Sequence, residues 1–287
     1  MSQLDWKYRW APSLGELEDT PENIWGIEKY ESEIHKENPV VFCGLYGLPD
    51  FYALWRHPER KAIWWTGSDI RHFRAGYWLD KNGNIKLRPK ELAKWIETYC
   101  ESWCENDVEY EALKKLGISS KVCPSFLGDV KKYEVDFKPA PFGQRSKLYT
   151  SVSGNDFEVY GWKKIDWISD VYKDVEFHLY GNTVESPVKK RDNVFIHGRV
   201  SKEVFNQETD SMQGGLRLTS FDGFSEVLAR SILRGQWPVS LIEYPHMLKI
   251  DEIDKLKTKF SPNFEGRNYY LGILNHYPWN MRKSDII

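Results

Sequence analysis

Short apolar runs alternate with amphipathic stretches through most of this chain, and each run stops at a glycine, proline or small polar residue. Residues 39–45 (PVVFCGL) are apolar and end in a glycine, the pattern of a strand buried on both faces. Residues 49–56 (PDFYALWR) follow as a helix with Pro49 in its first turn. Residues 61–65 (KAIWW) make the next strand, closing in Thr66-Gly67-Ser68-Asp69. Together these form a βαβ unit. The spacing then predicts one long amphipathic helix over 89–104 and another over 107–116, the second closed by Gly117. Val122 and Cys123 begin a strand that Pro124 ends.

The Pro- and Gly-rich stretch 138–145 (KPAPFGQR) reads as a linker, after which the alternation restarts. Strands are expected at 146–151, 175–180, 193–196, 215–219 and 238–242. Helices are expected at 160–171, after Ser201 as N-cap, and at 226–234 with Gly235 as its stop. Alternation of this kind implies an open, mostly parallel α/β sheet in each half. The predicted fold class is therefore α/β, with two Rossmann-like domains. Residues 1–142 form the first, 143–262 the second, and 263–287 a tail that packs back on the first.

Composition adds modest constraints. The 287 residues are 41% hydrophobic and 29% charged, as expected of a globular protein able to build two cores. Formal net charge is −2, which excludes a global field drawing in nucleic acid. No apolar run approaches the roughly 18 residues of a membrane span, and residues 1–10 lack a signal-peptide core, so a cytoplasmic location without membrane insertion is expected. Aromatic content is 15%, with 13 Trp, and bulky packing is the first explanation. Cys100 and Cys104 would share a helix face, but no CxxC or HExxH motif accompanies them, so reduced thiols are expected.

Ligands of open α/β sheets bind beyond the carboxyl ends of the strands. That selects the loops Tyr46-Gly47, Gly67-Ser68-Asp69, Gly154-Asn155, His197-Gly198-Arg199 and Asp222-Gly223-Phe224-Ser225. The last lies within residues 215–239, GLRLTSFDGFSEVLARSILRGQWPV. This segment resembles the nucleotide-sugar segment of GT-B glycosyltransferases, especially glycosyltransferase family four. In that family an acidic residue and a glycine open a helix, a second acidic residue follows, and a glycine and a Pro-Val strand close the unit. Asp222 stands at the first acidic position, and Gly235 and Pro238-Val239 match the close. Arg230 occupies the second acidic position, a departure; Glu226 lies one turn earlier. The first domain looks shortened relative to that family.

The resemblance implies a GT-B fold, with a nucleoside-diphosphate sugar as donor in a cleft between the domains. It further implies retention of configuration, and neither metal nor covalent cofactor. The residues can be read physically beside it. Gly223, Phe224 and Ser225 lead into a helix whose N-terminal amides favour an anion. Arg217 is a permanent cation able to clamp a diphosphate. Asp222 would face sugar hydroxyls, or serve simply as an N-cap. Asp69 is either an acceptor-side base or a helix cap. Gly47 and Gly67 would keep the backbone low beside an acceptor, with Ser68 and His72 nearby. Gly154, His197, Arg199, Thr219 and Glu226 complete the candidate donor contacts. The acceptor stays open between a glycan and a hydroxymethylated pyrimidine base of phage DNA. A nucleotide-sugar-binding protein or an epimerase are the alternatives without transfer.

Overall fold

The computed structural model describes residues 6–14, 25–75, 82, 89–135, 143–152, 157–181 and 188–279. The chain divides into two units. The first comprises Met1–Asp129, Phe221–Phe224 and Ile273–Ile287, and the second Val130–Ser220 and Ser225–Gly272.

In the first unit the strands are β1 (Tyr8–Trp10), β2 (Glu28–Lys29), β3 (Val40–Cys43), β4 (Lys61–Trp64), β5 (Cys100–Cys104) and β6 (Lys121–Val122). They form one six-stranded sheet in the order β2-β1-β3-β4-β5-β6, with every pairing parallel. The helices are α1 (Ser32–His35), α2 (Leu48–Arg56), α3 (Ser68–Ala75), α4 (Pro89–Tyr99) and α5 (Asp107–Leu116). Strands β3 and β4 are buried at every position, which is why they read as unbroken apolar runs.

The single helix expected over 89–104 divides in two. Helix α4 ends at Tyr99 and β5 begins at the next residue. The competing force is the sheet: β5 lies between β4 and β6, and Trp65 N donates to Trp103 O at 2.8 Å. A strand inside a sheet satisfies both its backbone edges, which a helical continuation would leave open. Cys100 and Cys104 therefore share a strand face, not a helix face. Burial pushes the thiols of Cys100, Cys104 and Cys123 up to about 12. Strands β1 and β2 were not legible as strands, being three and two residues long. The centre of β1 is Arg9, which is buried and donates from Nη1 to Ile27 O.

Bulky packing absorbs much of the tryptophan. Trp25, Trp64 and Trp65 are completely buried. Tyr277 and Trp279 stack on Trp25 at 4.8 and 5.4 Å between ring centres. Trp279 Nε1 donates to Trp25 O at 2.7 Å, and Tyr277 Oη to Phe126 O at 3.1 Å. These contacts seat residues 277–279 in the first unit.

The same core holds a titratable group that links stability to pH. His57 is buried, with Nδ1 3.0 Å from Tyr30 Oη. Burial and then the neighbouring Lys61 charge pull it from 6.5 down to about 4. The unfolded chain therefore takes up this proton before the folded one does. Its stabilising contribution is complete above about pH 6.5 and is lost as pH falls towards 4. Thermal midpoints measured between pH 7 and pH 4 are expected to fall less steeply in His57→Asn than in the wild type.

In the second unit the strands are β7 (Ser146–Val152), β8 (Val175–Gly181), β9 (Val194–Gly198), β10 (Gly214–Arg217), β11 (Val239–Ser240) and β12 (Leu248–Lys249). Their order is β12-β11-β10-β7-β8-β9, again with every pairing parallel. The helices are α6 (Trp162–Val171), α7 (Lys202–Thr209), α8 (Glu226–Leu233) and α9 (Phe264–Leu274), and Ile250–Thr258 is a 3-10 helix. Ser201 caps α7 as expected, its hydroxyl accepting from Val204 N at 3.3 Å.

A buried polar network ties α7 to the end of α8. Arg234, 5% exposed, donates to Asn206 Oδ1 at 2.9 Å and Thr209 Oγ1 at 3.2 Å, and pairs with Asp210 at 2.8 Å. Gln236 donates to Thr209 O at 2.7 Å and accepts from Tyr149 Oη at 2.9 Å. Such a network is stable only when its members are satisfied together.

Candidate functional site

The order of strands in the second unit determines where a ligand would sit. From β7 the chain builds outward through β8 to β9, then returns to lay β10 on the other side of β7. The connections leaving β7 and β10 thus diverge, and the opening between their carboxyl ends is the switch point where open α/β sheets bind ligands.

Arg217 is the last residue of β10 and stands at this point. It is 8% exposed, with its guanidinium carbon 4.2 Å from the ring centre of Tyr160. That stack orients a planar cation and desolvates one of its faces. Thr219, two residues on, is buried. Lys164, in the first turn of α6, donates from Nζ to Leu218 O at 3.0 Å. Tyr160 and Lys164, on either side of the start of α6, thus both contact the end of β10 or the residue after it. Gly154 lies outside the described residues.

The sequence places Tyr160 at the start of an expected helix, not among the candidate site residues. A cation stacked on a ring from another element leaves no signal in sequence spacing.

The structure does not bring His197 and Arg199 to Arg217. They belong to β9 and the residue following it, and β9 is the outermost strand. Three strand spacings separate it from β10, roughly 14 Å. His197 instead joins a relay on the sheet: its Nε2 lies 3.0 Å from His178 Nδ1, and its Nδ1 lies 3.4 Å from Glu208. Tyr180 Oη donates to the same Glu208 carboxylate at 2.7 Å. Arg199 is exposed.

Helix α8 begins at Glu226 with Ser225 as its N-cap, and no side-chain hydrogen bond closes that cap. Arg230, at the second acidic position of the family pattern, pairs with Glu226 at 3.2 Å across one helical turn. Glu226 is therefore held by a cation on its own helix.

The turn Phe221–Phe224 belongs to the first unit. There it lies at the carboxyl ends of β4 and β5. Phe224 N donates to Glu105 Oε2 at 2.8 Å, and Asn106 Nδ2 donates to Asp222 O at 2.7 Å. Two glycines permit the approach. Gly67 has φ +97°, and a Cβ there would stand 2.3 Å from Gly223 N. A Cβ on Gly223 would stand 2.1 Å from Glu105 Oε2 and 3.0 Å from Thr66 O. Neither position accepts a side chain without displacing backbone. The low backbone expected at Gly67 is thus used against the chain itself.

Asp69 does not have the setting of a base. It is fully buried, and both oxygens accept from backbone: Oδ2 from Leu45 N at 3.1 Å, Oδ1 from Thr66 N at 3.1 Å and Ile70 N at 2.9 Å. Burial lifts its carboxyl to about 6 although these amides draw it down. Of the two readings open in the sequence, a cap-like tie between the turns after β3 and β4 is the one realised. Gly47 N-caps α2 and Ser68 opens α3, both at the same end of the sheet, while His72 is exposed on α3.

Glu105, Asn106 and Glu109 were missed. Asn106 caps α5 by accepting from Glu109 N at 3.1 Å, and Glu109 Oε2 accepts from Glu105 N at 2.7 Å. Burial and then the charge of Glu105 push Glu109 well above the usual carboxylate range. The only sequence signal was an Asn-x-x-Glu cap pattern, which marks a helix start and not a distant partner.

No family model matches this chain, and no curated protein matches it in sequence. Solved structures do. TarM superposes with a TM-score of 0.55 at 12% identity over 84% of this chain and 53% of its own. The sucrose-phosphate synthase of Thermosynechococcus elongatus superposes with a TM-score of 0.58 at 10% identity, over 93% of this chain and 76% of its own. Anabaena HepE, solved with UDP-glucose, gives 0.55 at 9% identity over 84% and 76%.

The chain has the GT-B fold.

It spans about half the length of TarM. Among the described residues no helix is long and apolar enough to cross a membrane, and no group of His, Cys, Asp or Glu is arranged to hold a metal ion.

Proposed function

We propose that this protein transfers a glycosyl group from a nucleoside-diphosphate sugar to an acceptor hydroxyl, with retention of configuration and without a metal. The observation that carries the reading is Arg217, a buried cation braced by Tyr160 at the switch point of the second sheet. When the glycosidic bond breaks, its electron pair passes to the diphosphate oxygen. A guanidinium fixed beside that oxygen stabilises charge where it develops and needs no reorganisation to do so. The acceptor hydroxyl bonds to the anomeric carbon and gives its proton to the departing phosphate, so no separate side-chain base takes part. Thr219 and Ser225 offer hydroxyls on the same connection, and Asp222 offers a carboxylate for sugar hydroxyls. The bound UDP-glucose of HepE supports a uridine nucleotide as the first donor to try.

The test is a thermal-shift panel of UDP, GDP and ADP, followed by the matching sugar nucleotides with product analysis by NMR. One nucleoside diphosphate is expected to raise the melting temperature, since ligand at a hundred times its Kd stabilises by about 2.7 kcal/mol. Release of that nucleotide with the sugar appearing on an acceptor, insensitive to EDTA, is the expected product result. An isomerised sugar still joined to its nucleotide would point to an epimerase. Binding with no turnover would leave a binding protein.

A further inference from the structure

We infer that Glu105 and Asn106, at the carboxyl end of β5, are positioning residues for the Asp222-Gly223-Phe224 turn. The inference rests on the proposed function, because it assigns these two residues to the loop that leaves β10 and leads into α8. Ser225, the N-cap of α8, makes no side-chain cap hydrogen bond. The backbone of the turn is held at two points by the β5 end. Glu105, 5% exposed, takes the Phe224 amide, and Asn106, also 5% exposed, gives a hydrogen bond to the Asp222 carbonyl. These contacts flank Gly223, and the peptide between them is pressed onto Thr66 and Gly67 with no room for a Cβ.

The two holding residues are themselves held. Glu109 accepts from the Glu105 amide, and the Asn106 side chain spends its oxygen on the Glu109 amide while its nitrogen reaches Asp222. Asn106 thus uses both ends of one amide group, which no other side chain of that size can copy. Holding the backbone just after Asp222, on either side of Gly223, limits the directions its carboxylate can take. A donor bound through that carboxylate would then meet a preorganised group, and loss of the hold would appear in donor binding before it appeared in the bond-breaking step.

The variants are Glu105→Ala, Glu105→Gln and Asn106→Ala, with thermal unfolding as the check on folding. The first measurement is hydrogen–deuterium exchange of the 221–228 region without ligand. The Phe224 amide is expected to exchange at least about tenfold faster in Glu105→Ala, and near the wild-type rate in Glu105→Gln, whose side-chain oxygen can still accept. The second measurement is the KM for UDP-glucose. It is expected to rise on the order of tenfold in Glu105→Ala, with kcat within about threefold, and to be restored in Glu105→Gln. Unchanged exchange in folded Glu105→Ala overturns the inference, and so does faster exchange with unchanged KM. A wild type that binds none of UDP, GDP and ADP and turns over none of the matching sugar nucleotides rejects the proposed function instead, and the exchange result still decides whether Glu105 holds the turn.

Discussion

Arg217→Ala is expected to lower donor turnover by ~10²–10³-fold, equal to about 2.7–4 kcal/mol of barrier, with the second unit still folded. The size follows from where the side chain is. A cation in solvent loses most of its value to screening, but Arg217 is 8% exposed and one of its faces is covered by Tyr160. Arg217→Lys should recover little, because a lysine ammonium neither stacks on the ring nor presents two parallel donors to a diphosphate. Tyr160→Ala should fall between wild type and Arg217→Ala, since it frees the guanidinium without removing it. Steady-state kinetics with UDP-glucose and a thermal melt of each variant decide the matter. Wild-type turnover in a folded Arg217→Ala would remove the basis of the proposed reaction.

Asp69→Ala should cost the first unit at least about 2 kcal/mol, because the Leu45 and Thr66 amides lose their acceptor, at ~1–3 kcal/mol for each orphaned group, while Ile70 N keeps Gly67 O at 3.2 Å. The matching fall in melting temperature is about 4–8 °C. Asp69→Asn should recover only part. It keeps Oδ1 for Thr66 and Ile70, but turns an amine towards the Leu45 N–H. The effect depends on pH with a sign opposite to that of His57. The folded-state pKa of Asp69 is raised from 3.8 to about 6, so the folded protein holds this proton more tightly than the unfolded chain. Its contribution is whole below 3.8 and is lost as pH rises through 6. The gap between wild type and Asp69→Ala should therefore widen from pH 7 to pH 5. A gap that narrows would show that the carboxylate, not the acid, is the form the fold prefers.

These two residues illustrate how far the chain could be read before its structure. Asp69 was selected because it follows a strand, and Arg217 as a permanent cation in the segment that resembles a nucleotide-sugar site. For Arg217 the strand order adds that β10 lies beside β7, so the loop after it stands at a switch point. For Asp69 the sequence leaves base and cap both open, because burial and three amide partners are properties of the surroundings, invisible in the order Thr66-Gly67-Ser68-Asp69. His197 and Arg199 also follow a strand, but that strand is the outermost of its sheet. Periodicity reports that a strand exists and is silent on its neighbours.

What the chain determined alone were the alternation of buried strands with helices, the parallel sheets that alternation requires, and the caps at Ser201 and Gly117, all of which depend on residues near one another. What only the tertiary structure decided were strand order, the division of residues 89–104 into helix and strand, the stacking of Tyr160 under Arg217, and the hold of Glu105 and Asn106 on the Asp222–Phe224 turn. Each of these joins residues far apart in the chain. Such contacts arise from closing long loops and filling a common core, and local propensity carries no record of which distant partner completes them.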